Sequence, residues 1–304
     1  MRRLRQVGVL ATMAIVSLAL QGGVAARATF PGDNGRIAYG RTTHSSHYRI
    51  VTSLPDGSDR VAITNANRAS YAPTWSPDGS HIAFVRAAGE LTIVVTAPDG
   101  MHRSVVVPRA GSFVIPKAAW APDGSELAFC KSLHVYTVHV DGSSVTDITP
   151  ATSSLCSPAW SSDGTLIAAT SGDRVFNTAN RLVTVNPDGT GLTVILHGGS
   201  FGSPDWSPDG THLVFSRAVK GRRSDIYTVK IDGTELTDIT NSPNRAESYP
   251  VYSPDGTAIM FSRTQAEGSS VDDLWIVDAD GSGRLHRVTN TPHLSELGVD
   301  WQAR

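Results

Sequence analysis

Apolar and polar positions alternate with period two in short runs along almost the whole chain after residue 30. The clearest runs are Ile82-Ala-Phe-Val, Leu127-Ala-Phe-Cys, Ile167-Ala-Ala, Leu213-Val-Phe-Ser and Ile259-Met-Phe-Ser. Period two places successive side chains on opposite faces of an extended segment, and apolar or small residues on both faces mark a strand packed on both sides. Each run follows a Ser-Pro-Asp-Gly type turn that is itself preceded by an aromatic residue. The five copies begin at Trp75, Trp120, Trp160, Trp206 and Tyr252, and a weaker one begins at Phe30. In such a turn Pro sets φ at the first central position, Asp caps the turn with its carboxylate and Gly supplies a positive φ. A second alternation, ending in Asp-Gly, with Ser or Thr next in five of the six, and a short run such as Asp-Ile-Thr, follows every copy. No window beyond residue 28 sustains a 3.6-residue period.

The copies stand 45, 45, 40, 46 and 46 residues apart, counted from Phe30. Each unit supplies four short antiparallel strands: one ending on the aromatic residue, one through Ile-Ala-Phe, one before Asp-Gly and one ending near Ile-Thr. Four-stranded sheets recurring every 40–50 residues are the blades of a β-propeller. The fold class expected is therefore all-β, six blades, with the repeated Trp and Phe filling the space between blades. The chain ends on Gly298-Val299-Asp300-Trp301, a first strand with no hairpin after it. It is expected to complete the sheet that residues 36–64 begin, which closes the ring and removes its open edges.

Composition adds the compartment. Residues 1–28 carry Arg2, Arg3 and Arg5, then an uncharged apolar run from Val7 to Leu20, then Ala26-Arg27-Ala28. That order describes a secretory signal peptide cleaved after Ala28. The run is short for a membrane span, which needs about 20 residues. The expected domains are thus a signal peptide, 1–28, and a six-bladed propeller, 29–304. The whole chain has 26 Lys+Arg against 28 Asp+Glu and no strongly basic block, which disfavours a nucleic-acid partner. An exported soluble monomer is expected, secreted or held in the periplasm or cell envelope, with no stable membrane span. Cys130 and Cys156 are the only cysteines. An exported protein favours a structural disulfide between them, and two separate thiols are the alternative.

Motifs that suggest chemistry are better explained by the repeat. Gly198-Gly-Ser200-Phe-Gly202 matches the nucleophile pattern G-x-S-x-G but lies between blades, without the strand-to-helix elbow that motif needs. Asp278-Ala-Asp280-Gly-Ser282 resembles a calcium loop but repeats the hairpin turn of the other units. His44, His47 and His293 fall in loops that ring closure would bring together, yet no metal-ligand spacing appears. No catalytic residue, metal or cofactor is expected. Function is assigned to the loop face opposite the Ser-Pro-Asp-Gly turns, because loops over a rigid scaffold carry binding. That rim includes Arg68, Lys117, Lys220, Asn244, Glu247, His293 and Glu296. Its candidate contacts are Tyr71, Arg217, Arg222, Arg223, Arg245 and Tyr249, residue types enriched in protein interfaces.

The W-S-P-D-G-x-x-I-A-F units, alternating with x-V-x-x-D-G-[ST]-x-x-x-x-[IL]-T, resemble the WD40-like PD40 repeats of TolB-type propellers over residues 30–304. The resemblance implies a non-catalytic docking platform of the envelope, whose partner is a protein or peptide, with a glycan as a second class. Members of that family carry a separate α/β domain before the propeller, and here the signal segment leads to the first blade within a few residues. The competing expectation is a propeller enzyme, such as a polysaccharide lyase or hydrolase with a channel site. The export reading is checked by intact-mass analysis of the protein purified from its native host: the mature chain should start at Thr29, and a chain retaining residues 1–28 would contradict it.

Overall fold

A computed structural model describes residues 32–42, 47–65, 67–111, 117–173, 178–219, 223–242, 244–266 and 269–304. The signal segment and Phe30 lie outside these residues, as do His44, Lys220 and Arg222. All described secondary structure is β, arranged as six four-stranded antiparallel sheets. From the innermost strand outward, blade one is Glu296–Ala303, Asn34–Thr42, Tyr48–Ser53 and Val61–Ala62. Blade two is Ser70–Trp75, Ile82–Ala88, Glu90–Thr96 and Ser104–Gly111. Blades three to six repeat this order, with inner strands Ala119–Trp120, Leu155–Trp160, Ser200–Trp206 and Glu247–Tyr252. Each inner strand packs against the inner strands of both neighbouring blades, which makes a closed ring around one axis.

The Ile-Ala-Phe pattern sets how the blades stack. In every blade the aromatic residue of the inner strand and the large residues of the second strand point toward the preceding blade. They meet a smaller residue on that blade's other face at five junctions, Ala at four and Val at one, and the flexible Met260 at the sixth. Trp120, Leu127 and Phe129 pack on Ala83; Trp160 and Ile167 on Ala128; Trp206, Leu213 and Phe215 on Ala168. Trp75, Ile82 and Phe84 pack on Ala38. Tyr252, Ile259 and Phe261 meet Val214, and at the closure Trp301, Ile37 and Tyr39 meet Met260. Large-into-small packing at every junction brings flat sheets close enough to exclude water.

The turns hold their shape through the residues the repeat specifies. Gly79 donates its N–H to Ser76 O at 2.9 Å with φ of +66°. Asp78 Oδ1 accepts from Ser76 Oγ at 2.6 Å and from Ser80 N at 3.0 Å. Burial alone would raise the Asp78 carboxyl, but these hydrogen bonds hold it below the usual carboxylate range. Asp209 and Asp255 make the same bonds. The Asp-Gly turn toward the outer edge has a second requirement. A Cβ on Gly100 would lie 2.4 Å from Ile63 O of the preceding blade, and one on Gly57 2.4 Å from Val288 O. Gly is needed there for positive φ and also for backbone approach between blades.

Ring closure follows the expected route. Trp301 pairs with Ile37 and Glu296 with Arg41 across the antiparallel join of the last strand to Asn34–Thr42. Gln302 Nε2 donates to Gly79 O at 3.0 Å, and Asn34 Nδ2 to Asp255 Oδ2 at 2.8 Å, so the closed sheet is tied to both neighbours. Cys130, on the second strand of blade three, and Cys156, on the inner strand of blade four, form a disulfide. The bridge ties two adjacent blades at the loop face. Denaturant unfolding should show Trp301→Ala costing roughly 3–5 kcal/mol, as for other buried Trp truncations. Removing the bridge with Cys130→Ser and Cys156→Ser should cost roughly 2–4 kcal/mol. A Trp301→Ala protein as stable as the parent would mean that the last strand does not hold the ring shut.

Candidate binding face and axial channel

The axis is reached first through Lys117. It occupies, in blade three, the position three residues before the blade aromatic, where Ala72, Ser157, Ser203, Tyr249 and Gly298 stand in the other blades. Those five all have positive φ and all sit at a register shift, and four of them precede Pro, so each of these five inner strands carries a bulge there. Lys117 had been expected on the rim; instead its Nζ reaches Asp300 Oδ1 at 3.2 Å in a small cavity near the turn end of the axis. Residues from five inner strands line that cavity, among them Trp75, Trp120, Trp160, Asp205 and Trp301. Burial alone would lower the Lys117 pKa, but Asp300 and then Asp205 hold it above the ordinary value, so it stays charged. Both carboxylates also tie blades together. Asp300 Oδ2 accepts from Trp75 N at 2.7 Å, and Asp205 Oδ2 from Tyr252 N at 3.0 Å. These side chains brace the ring from within.

At the opposite end the structure brings two of the expected contacts together through a third residue. The Tyr48 and Tyr71 rings lie 5.3 Å apart between centroids. Burial raises the Tyr249 pKa, and the next contributions are the charges of Tyr48 and Asp272, which therefore lie within electrostatic reach of it. Burial likewise raises Asp272, against a hydrogen bond donated by Ser295 Oγ at 3.1 Å. Tyr48, Tyr71, Tyr249 and Asp272 thus come from blades one, two and six to one place on the loop face. Sequence reasoning missed Tyr48 and Asp272, because neither belongs to the repeat motif; the available signal was their position at the first residue of a strand following a loop.

The arginines divide by role. Arg217 lies over the Phe201 and Tyr227 rings, at 5.6 and 5.5 Å, and donates from Nη2 to Gly198 O at 2.9 Å. Arg245 Nη1 donates to Thr264 O at 2.9 Å and also to Gln265 O. Both secure loop backbone, whereas Arg223 is exposed. His47 and His293 are exposed, and among the described residues no three His, Cys, Asp or Glu side chains converge as a metal set. Ser200 opens a strand rather than a helix, and Asp280 accepts from Ser282 N and Oγ as a turn cap.

Glu247 and Glu296 correct the expected rim most clearly: both are 0 % exposed. They begin the inner strands of blades six and one, and each pairs in register with an Arg of the second strand. Glu247 Oε1 faces Arg263 Nε at 3.4 Å, and Glu296 Oε1 faces Arg41 Nε at 3.3 Å. Ser242 Oγ donates to Glu247 at 2.8 Å and Thr240 Oγ1 also donates to it; Thr289 and Thr291 hydroxyls do the same for Glu296. The Thr-Asn-Ser/Thr-Pro-x-x-x-Glu spacing of residues 240–247 and 289–296 encodes this arrangement. It is an interblade clamp.

The PD40 family described as the TolB beta propeller domain matches residues 25–290. The chain belongs to this TolB β-propeller family. The Tol-Pal system protein TolB of Blochmanniella pennsylvanica is 35% identical over 75 residues, a stretch covering 23% of this chain and 17% of that protein. The crystal structure of TolB from Acinetobacter baumannii superposes with a TM-score of 0.73 at 19% identity, covering 90% of this chain and 68% of that one. The putative TolB from Agrobacterium tumefaciens gives 0.64 at 19% identity, covering 90% and 100%. At these identities the two structures speak for the fold.

The clamp predicts a pH dependence. Burial pushes Glu247 up to about 7, against donation from Thr240 and Ser242 and the charge of Arg263. A carboxyl whose folded pKa is raised binds more protons folded than unfolded, so its contribution to stability falls as pH rises between about 4.5 and 7. Relative to Glu247→Gln, the parent should lose up to about 3 kcal/mol between pH 4 and 8. Parallel denaturant titrations of both proteins across that range check it, and parallel curves would place Glu247 near its ordinary pKa.

Proposed function

We propose that this TolB-family propeller is an exported, non-catalytic scaffold of the cell envelope or extracellular space. Its loop face binds an extended protein or peptide segment. The observation that carries this reading is the convergence of Tyr48, Tyr71 and Tyr249 on one rigid site. Tyrosine gives large contact area at small conformational cost, and blades that already hold it in place reduce the entropy lost on binding. The charged groups on the axis are engaged with one another and with backbone, which favours a brace over a reacting centre. The disulfide supports an oxidising compartment. A family relative named as a Tol-Pal system component supports a protein partner. A glycan is the second class, since the same aromatic surface would stack on a sugar ring.

Arg217 and Arg245 hold loop carbonyls, so replacing them would confound binding with stability. The test uses Tyr71→Ala and Tyr249→Ala together with Arg223→Glu. This protein should keep the parent's thermal midpoint within a few degrees and retain at least tenfold less of its captured partner from the native envelope extract. Unchanged capture would remove the loop face from the reading. A stoichiometric metal in the purified parent, lost on changing His47 or His293, would favour the enzyme alternative.

A further inference from the structure

The buried Glu–Arg pair of blades one and six has a third counterpart that lacks its acid. In blade two the paired residues are Ser70 and Arg86, at the same register as Glu247–Arg263 and Glu296–Arg41. Ser70 is 2 % exposed, and its short side chain leaves the glutamate's place open. Thr64 Oγ1 accepts the Ile50 N–H as Thr240 accepts that of Ile226 and Thr289 that of Leu274, so the hydroxyl that serves the carboxylate elsewhere is also present. A cavity of about 330 Å³ opens here, lined by Thr64, Ser70, Phe84, Arg68, Arg86 and Arg103 together with two asparagines, and by no acid.

Arginine recurs at this register in four blades, and three have found a partner. Arg41 and Arg263 face glutamates, and Arg217, whose strand partner is Phe201, lies between aromatic rings. The Nε atoms of all four are buried without a hydrogen bond; what sets Arg86 apart is that the described residues around its cavity include neither a carboxylate facing it, as at Arg41 and Arg263, nor a pair of rings enclosing it, as at Arg217. Burial, followed by repulsion from Arg68 and Arg103, lowers the Arg86 pKa, as expected where three cations share a cleft without an anion. A planar carboxylate satisfies a guanidinium best, which makes the open place beside Arg86 suited to one.

We infer that the cleft between blades one and two is a binding site for an external carboxylate, which takes the place that Glu247 and Glu296 fill from within the chain. Arg86 and the Thr64 and Ser70 hydroxyls would hold the carboxylate itself. Arg68 and the exposed part of Arg103, whose Nη2 is also bound to Ile63 O, would meet further negative charge beside it. The ligand is therefore a di- or tricarboxylate, supplied either as a free small acid or as neighbouring acidic side chains of a peptide. This site goes beyond the tyrosine face and does not depend on it.

Titration calorimetry at constant ionic strength tests it with citrate, tetraglutamate and inorganic phosphate. The parent should bind citrate or tetraglutamate, and whichever binds identifies the free or the peptide source. Ser70→Glu, which supplies the missing acid internally, should weaken that binding at least tenfold while raising the melting temperature without ligand. Arg86→Gln should weaken binding to a similar degree, and Arg284→Gln, an exposed cation elsewhere, should leave it unchanged. No binding of either carboxylate by the parent, binding by Ser70→Glu equal to the parent's, or phosphate binding as tight as the carboxylates' would each overturn the inference.

Discussion

The structure depends on one contact made six times: a large aromatic or aliphatic cluster of each blade set against a small or yielding residue of the blade before it. Neither member can be enlarged without separating the sheets, because interiors are close-packed and overfilling is costly. The contact also explains why each blade needs neighbours on both sides. One face carries the aromatic and large aliphatic residues and the other a receiving residue, Ala in four of the six blades, so an isolated sheet exposes both halves of an unfinished interface. A ring satisfies every half, and the antiparallel join of Trp301 to Ile37 makes the sixth junction equivalent to the rest.

Polar groups then specialise the junctions. Where packing alone would be uniform, Asp205 and Asp300 reach the backbone N–H groups of Tyr252 and Trp75, and Glu247 and Glu296, each paired with an Arg of its own blade, take hydroxyl donors from the end of the preceding blade at the junctions on either side of blade six. Breaking such a pair by removing one partner leaves a buried charge uncompensated, which is more costly than never having placed it. Blade two stands out in that light. It keeps the arginine and the threonine of the clamp but substitutes Ser70 for the acid, so a junction that is closed elsewhere is open to an anion.

The loop face shows the same division between scaffold and contact. Arg217 and Arg245 spend donors on backbone carbonyls of neighbouring segments, Gly198 and Thr264, and Lys117 is drawn to the axis by Asp300. What is left for contact on this face is aromatic, half-buried and drawn from three blades: Tyr48, Tyr71 and Tyr249. In the sequence alone these residues differ little from other loop-proximal tyrosines and arginines, because spacing within a unit cannot reveal which side chains of different units face one another.

Blade count, strand order, turn chemistry, the interblade role of Trp and Phe and the strand that closes the ring were all legible in the sequence. Each follows from local rules, period-two alternation and turn residues, repeated often enough that accident could not imitate them. The candidate site was legible only as a face. Glu247 and Glu296 look like rim acids, since a charged residue in a loop-proximal stretch is usually solvated; their burial depends on Arg263 and Arg41, which only strand register places opposite. The unmatched Arg86 is the same case reversed. A missing partner is visible only once three-dimensional pairing shows which residue should have supplied it, because charge balance in a cleft between blades is set by neighbours in space and not by neighbours along the chain.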